Sequence, residues 1–359
     1  MKGNHIRLAL LSFLTICILV IQFMLDRNEQ AMNYYIQNIF LPIQRGRNNL
    51  FNRIPISIGD ILYLLIFLLL LLLFIRLIYF ACTYKKNKPD FWTELLRFFM
   101  LPVVVYLAFL VFWGGNYSRK SLTHNWDLEK VAWNTKTLIT LNEFLIQKLN
   151  EINKDSAVET YPKIKTLNHL SNQFYHEMFG SIIPKLKVKP TSLGYLLSYF
   201  GIHGYYNPLS GEAQYNKFIL PFMHPFVITH EMAHQVGIAR EDDANLMAYI
   251  IGVESNNRAY QYSAYFNLYL YSSSDLKEKD KVKAKELYET LNPKSQQDII
   301  DLRAMYRKYN TSLRGFSNSL YDEYLILHGQ EKGIGSYNDV SKWVYYWEIF
   351  NRKEQLSIF

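Results

Sequence analysis

The stretch Asp60-Ile-Leu-Tyr-Leu-Leu-Ile-Phe-Leu-Leu-Leu-Leu-Leu-Leu-Phe-Ile-Arg76 carries no charge between its two ends. A helix through it, begun near Ile56 and carried to about Phe80, can cross a hydrocarbon layer of about 30 Å. Two further runs flank it. One is uncharged from Leu8 to Leu25, the other from Phe98 to Ser118. The basic start, Lys2 and Arg7, resembles a signal peptide, but no small-residue cleavage site follows Leu25. The first run therefore reads as an uncleaved signal anchor. Pro102 is tolerated near the start of a membrane helix, and Phe112-Trp113 with Tyr117 supply the aromatic content of an interface. Arg76, late in its run, can snorkel toward Lys85 and Lys86. The expectation is a membrane part over residues 1–117, with spans at about 6–25, 56–80 and 97–117.

Half of the 359 residues are hydrophobic, 16% are aromatic and 19% charged, which excludes a disordered chain. Sixteen Gly and 11 Pro exclude collagen-like or low-complexity sequence, and two Cys cannot form a disulfide framework or a thiolate zinc ribbon. The net charge of +8 sits beside the apolar runs: residues 1–113 hold 11 Lys/Arg against 5 Asp/Glu, the remainder 28 against 26. That bias is membrane topology, so no nucleic-acid partner is expected. Lys85, Lys86, Lys88 and Arg97 make their loop cytoplasmic by the positive-inside rule. Three spans then place the N-terminus in the cytoplasm and residues 118–359 outside the inner membrane. Arg27, Arg45, Arg47 and Arg53 in the first loop argue the other way. The bilayer is one partner; oligomeric state is not encoded.

Beyond Ser118 the pattern is helical. Leu138, Leu141, Leu145 and Leu149 recur at the spacing of one buried helix face. Pro184, Pro190, Pro208 and Pro221, with several glycines, interrupt residues 182–222. There Gly204–Asn216 reads as a turn with a short extended segment, and Lys217 to Leu220 as another strand. Helical pattern returns at His224.

Chemistry concentrates in Ile228-Thr-His-Glu-Met-Ala-His-Gln-Val-Gly237. On a helix, residues four apart share a face, so His230 and His234 can place two imidazoles on one zinc ion. Glu231 is then positioned as general base. The competing reading is a core helix with two satisfied histidines. Gly237 stops the helix, and a short turn leads into Glu241-Asp-Asp-Ala-Asn245. Glu241 becomes the third ligand, with Asp242 its rival, and Asn245 orients a histidine through its other ring nitrogen. Asp242 and Asp243 also suit a helix's first turn whatever the function. His224 faces away, and His203 reads as a loop residue. The Tyr205–Asn216 stretch, with Tyr206, Asn207, Gly211, Glu212 and Ala213, is either the cleft-edge strand that pairs with an extended peptide or an ordinary tight hairpin. His328 and Tyr337 are available as donors to an oxyanion.

These residues resemble the gluzincin-type zincin metallopeptidases, whose third ligand is a Glu in a Glu-x-x-Ala-Asp/Asn helix. The gap from His234 to Glu241 is shorter than that group's pattern. The metzincin ligand position is occupied by Arg240, which cannot bind zinc. More closely, the layout resembles a bacterial membrane-protein family named domain of unknown function 3810. The three spans, Trp113-Gly-Gly-Asn-Tyr117, Tyr205–Asn216 and His230–Asn245 carry that likeness. It implies a membrane-anchored zinc peptidase-like domain and no particular substrate.

The expected fold is mainly α (α+β): three transmembrane helices, then a mostly helical zincin-like domain over 118–359 with a small β element before the active-site helix. The expected function is zinc-dependent hydrolysis of a protein or peptide outside or near the membrane. The alternative is a non-catalytic, membrane-tethered binding protein. An integral transporter is disfavoured, because no further long apolar run follows the third.

Overall fold

The computed structural model describes residues 2–124, 132–154, 160–180, 183–309, 315, 319, 322–323 and 339–350. His328 and Tyr337 lie outside the described residues. The chain divides into two compact units, Met1–Arg119 with Asn207–Glu212, and Lys120–Tyr206 with Ala213–Phe359.

The first unit contains α1 (Lys2–Arg27), α2 (Glu29–Tyr34), α3 (Leu41–Phe51), α4 (Ile58–Cys82) and α5 (Lys88–Phe112), with a π-helical segment at Tyr35–Phe40. Helices α1, α4 and α5 are each long and apolar enough to cross a membrane. Their large apolar side chains, such as Phe13, Leu64, Phe67 and Ile75, stand exposed, as a lipid solvent allows. The third apolar helix starts earlier than expected, at Lys88-Pro89, because proline suits a first helical turn. It stops at Phe112, and Gly114–Ser118 continues as a 3-10 turn. The Arg76 guanidinium is paired: it bonds both oxygens of Glu94, at 3.1 and 2.8 Å, and Arg97 joins them at 2.6 Å. In an apolar surround a paired charge costs far less than a lone one.

This unit also contains the Asn207–Glu212 turn. Asn207 Oδ1 accepts from the Leu209 and Ser210 amides, at 3.0 Å each. Gln44 Nε2 donates to the Gly211 carbonyl at 2.7 Å, and Arg47 Nη1 to those of Pro208 and Leu209 at 2.6 and 3.2 Å. Glu212 Oε2 accepts the Gly59 amide at 2.6 Å. Gly211 has φ +72°, and a Cβ there would stand 2.7 Å from Arg47 Nε, so both backbone and space call for glycine.

The second unit is helical around one core. It contains α6 (Thr135–Ile152), α7 (Ile164–Phe179), α8 (Gly194–Tyr199), α9 (His224–Gln235), α10 (Glu241–Glu254), α11 (Arg258–Lys279), α12 (Lys281–Glu289), α13 (Pro293–Lys308) and α14 (Asp339–Tyr345). Leu138, Leu141, Leu145 and Leu149 are fully buried on the inner face of α6. The strands β1 (Val188–Pro190), β2 (Gly204–Asn207) and β3 (Glu212–Tyr215) form a sheet ordered β1-β3-β2, with Val188 opposite Ala213 in parallel register. Lys217–Leu220 is a turn, not a strand. Asn216 causes this: its Oδ1 accepts the Phe218 amide at 3.0 Å and bends the chain immediately after β3.

Hydroxyl groups fix α9 from behind. Tyr175 Oη donates to the Thr229 carbonyl at 2.8 Å, and Ser171 Oγ lies 3.0 Å from Thr229 Oγ1 and 2.9 Å from Tyr260 Oη. Ser263 Oγ accepts the Phe226 amide, one of the donors left open by the first turn.

Candidate metal centre

Helix α9 presents His230 and His234 on one face, with their Nε2 atoms 3.2 Å apart. Gly237, at φ +86°, turns the chain after the helix, and α10 begins four residues later with Glu241. That carboxylate faces both rings: Oε2 lies 3.2 Å from His230 Nε2, and Oε1 lies 3.7 Å from His234 Nε2. One ligand atom from each residue falls within 4.8 Å of the others, so the three together could hold a metal ion. Two nitrogens bound at about 2.0–2.1 Å to one tetrahedral zinc would stand about 3.3 Å apart, close to the spacing seen here. The donor set fits a divalent cation.

The centre is largely buried, and its charges are unevenly placed. Burial pulls the pKa of His234 down to about 4, against the opposing pull of Glu241. Burial acts the same way on His230, but Glu241, Glu231 and Asn245 together outweigh it and hold His230 above the ordinary imidazole value. Glu231 lies 4% exposed, and burial lifts its carboxyl to about 8. Its Oε2 has no hydrogen-bond partner among the described residues, and neither has His230 Nδ1 or Asn245 Nδ2. Gly204 gives Glu231 room: a Cβ there would lie 2.7 Å from Glu231 Oε1 and 2.9 Å from the Gln214 carbonyl.

The structure brings His230, Glu231, His234, Glu241 and Asn245 together. Asp242 points elsewhere, where Arg240 holds Oδ1 at 3.3 Å and Trp343 Nε1 donates to Oδ2 at 3.2 Å. Asp243 accepts from Ser121 Oγ at 3.0 Å and the Leu122 amide at 3.1 Å. Tyr206 stands near the centre, its ring 6.3 Å from that of His234. Asn207, Gly211 and Glu212 lie in the turn described above, and Ala213 is buried in β3. His224 packs edge-on against Tyr215.

Sequence reasoning missed Tyr271 and Tyr306. Burial raises the Tyr271 phenol first, and Tyr306 and Glu241 add to the shift, so Tyr271 lies within electrostatic reach of the centre. Tyr306 stacks on His203 with an interplanar angle of 8°, and its hydroxyl is 3.3 Å from His203 Nε2. Among 28 tyrosines neither carries a local signal.

Fold and centre define a mainly helical protein with three apolar N-terminal helices and a buried two-histidine, one-glutamate group. Residues 35–345 match the family described as "Protein of unknown function (DUF3810)". The chain belongs to that family. No curated protein and no solved structure matches it.

Proposed function

We propose that this protein is a membrane-anchored, zinc-dependent peptidase of zincin-like design. The observation that carries the reading is the convergence of His230 Nε2, His234 Nε2 and Glu241 on one point, with Glu231 buried beside them. His230, His234 and Glu241 are the ligands. Zinc held there supplies Lewis acidity to a scissile carbonyl and lowers the pKa of a water toward about 7. A dication also favours the ionised form of its neighbours, so Glu231 becomes a carboxylate in the loaded protein. Glu231 takes the water's proton and passes it to the leaving amine. Strand β2 is one of the two outer strands of the sheet and passes Glu231 at Gly204, which suits backbone pairing with an extended substrate. Asn245, close enough to help hold the His230 pKa up, is the residue we assign to orient that ring when the metal is bound. The Lys-rich loop at residues 85–88 supports, by the positive-inside rule, a centre outside the cytoplasm, and the substrate we infer is a protein or peptide on that side.

A non-catalytic binding protein on the same scaffold would have no use for a carboxylate at position 231. Purified Glu231→Gln should keep its zinc and lose about a hundredfold or more of turnover against a peptide library. Wild-type cleavage by that variant would sink the mechanism. Full zinc stoichiometry in His234→Ala or Glu241→Ala would sink the ligand set.

A further inference from the structure

The second unit carries an exposed apolar surface that the proposed chemistry does not use. Leu193 is 39% exposed, Tyr195 57%, Leu196 50% and Phe218 41%. Tyr195 and Phe218 are in contact, and Leu193 and Leu196 flank Tyr195 in the chain. Tyr195 packs edge-on against Tyr199, Phe218 and Tyr309, with ring centroids 5.4, 6.0 and 6.3 Å away, and Tyr199 meets Tyr309 at 5.2 Å. Lys217 Nζ stands 5.3 Å from the Phe218 ring and Lys308 Nζ 5.2 Å from that of Tyr309, so the rim is cationic.

A water-facing surface has no reason to gather two leucines, a phenylalanine and tyrosines around one short helix. Amphipathic tyrosines, leucine side chains and lysines together match the interfacial layer of a bilayer. There the rings sit at headgroup level, apolar groups enter the acyl boundary, and ammonium groups meet anionic phosphates. The same chain has three helices able to cross a membrane, so a bilayer is its constant neighbour.

We propose that Leu193–Tyr199 and Phe218 seat the second unit in the interfacial layer of an anionic lipid bilayer. The consequence reaches the metal centre through the backbone. Asn216 Nδ2 donates to Ser198 Oγ at 2.9 Å and to the Ile202 carbonyl at 3.2 Å, tying α8 to the end of β3. Four residues beyond Phe200 the chain reaches Gly204, against Glu231. Seating α8 in lipid therefore fixes a segment joined, within a few residues, to the strand that passes Glu231.

The test uses the full chain in nanodiscs of mixed phosphatidylcholine and phosphatidylglycerol, with Cys17 and Cys82 replaced by alanine. An environment-sensitive fluorophore is attached at Leu196→Cys or, as a control, at Val282→Cys, a separate position 70% exposed. The Leu196 label should emit to the blue and be quenched several-fold more strongly by shallow nitroxide lipids than the Val282 label. Lys217→Glu with Lys308→Glu, or removal of phosphatidylglycerol, should weaken that quenching. Equal lipid quenching at both positions overturns the proposal. So does a Leu196 label shielded from aqueous iodide yet untouched by lipid quenchers, which would assign the patch to a second copy or a protein partner. Neither readout depends on zinc or turnover, so the seating can fail while the peptidase reading stands, and the reverse.

Discussion

His234 Nδ1 lies 2.7 Å from the backbone carbonyl of Ile238. A carbonyl oxygen only accepts, so Nδ1 must carry the proton, and the Nε2 lone pair is left facing His230 and Glu241. The tight turn at Gly237 brings that carbonyl within reach, so the chain reversal that delivers Glu241 also selects the ligand tautomer of His234. Nitrogen-15 spectra of histidine-labelled, metal-free protein near pH 7 should show His234 protonated at Nδ1 and bare at Nε2. A signal from the opposite tautomer would remove this ring from the ligand set.

Zinc binding should release protons, and the amount should depend on pH. His230 is held above the ordinary imidazole value, so near pH 7 part of its population is protonated and must discharge before it can bind. Glu231, at about 8, is mostly protonated at pH 7 in the metal-free state and loses its proton beside a dication. His234, at about 4, is already neutral and contributes nothing. Calorimetry in buffers of different ionisation enthalpy should find about one to two protons released at pH 7, and fewer at pH 9. Glu231→Gln should remove its share at pH 7. As pH falls through the His230 pKa, zinc affinity should weaken. A release that does not change with pH would refute the assignment of Glu231's environment.

The sequence made legible what is local. The three apolar runs needed only length and charge, and His230, Glu231 and His234 needed only helical periodicity. Glu241 followed from the glycine that ends α9. What distant segments decide stayed hidden. Asp242 competed with Glu241 on paper because one of its two partners, Trp343, stands 101 residues away, although Arg240 is close by in sequence. Tyr271 on α11 lies within electrostatic reach of Glu241, and Tyr306 on α13 within reach of Tyr271, with no motif to mark either. Asn207, Gly211 and Glu212 looked like substrate contacts, and only the positions of Gln44, Arg47 and Gly59 reveal how that turn is held. Lys217–Leu220 had strand-like composition, but one Asn216 side chain outweighed it.

Gly204 sets how closely β2 can pass the Glu231 carboxylate. In Gly204→Ala the new methyl meets Glu231 Oε1 at 2.7 Å and the Gln214 carbonyl at 2.9 Å. The side chain can swing away, but the backbone oxygen belongs to the paired strand and cannot move cheaply. Overpacking of this kind costs about 1–3 kcal/mol, and a base displaced by about 1 Å costs about a hundredfold in rate. The variant should melt earlier and lose turnover while binding zinc at wild-type stoichiometry. Unchanged turnover would show that Glu231 tolerates displacement and is not the base.

Arg47 tests how firmly the Asn207–Glu212 turn is held. Its guanidinium bonds the Pro208 and Leu209 carbonyls, and its second nitrogen reaches that of Phe112 at 3.2 Å. Hydrogen bonds to a charged donor contribute about 1.5–3 kcal/mol each when buried, and less here because the side chain is only partly buried. Arg47→Ala should therefore loosen the turn without unfolding the chain, since Gln44 still holds Gly211 and Gly59 still holds Glu212. Hydrogen exchange of the full chain should speed up about tenfold at Leu209–Gly211, a loss of about 1.4 kcal/mol in local opening, with α10 and α11 unchanged. Arg47→Lys keeps the charge but not the fork, so it should recover only part of the protection. Wild-type exchange in Arg47→Ala would mean that Gln44 and Gly59 hold the turn alone.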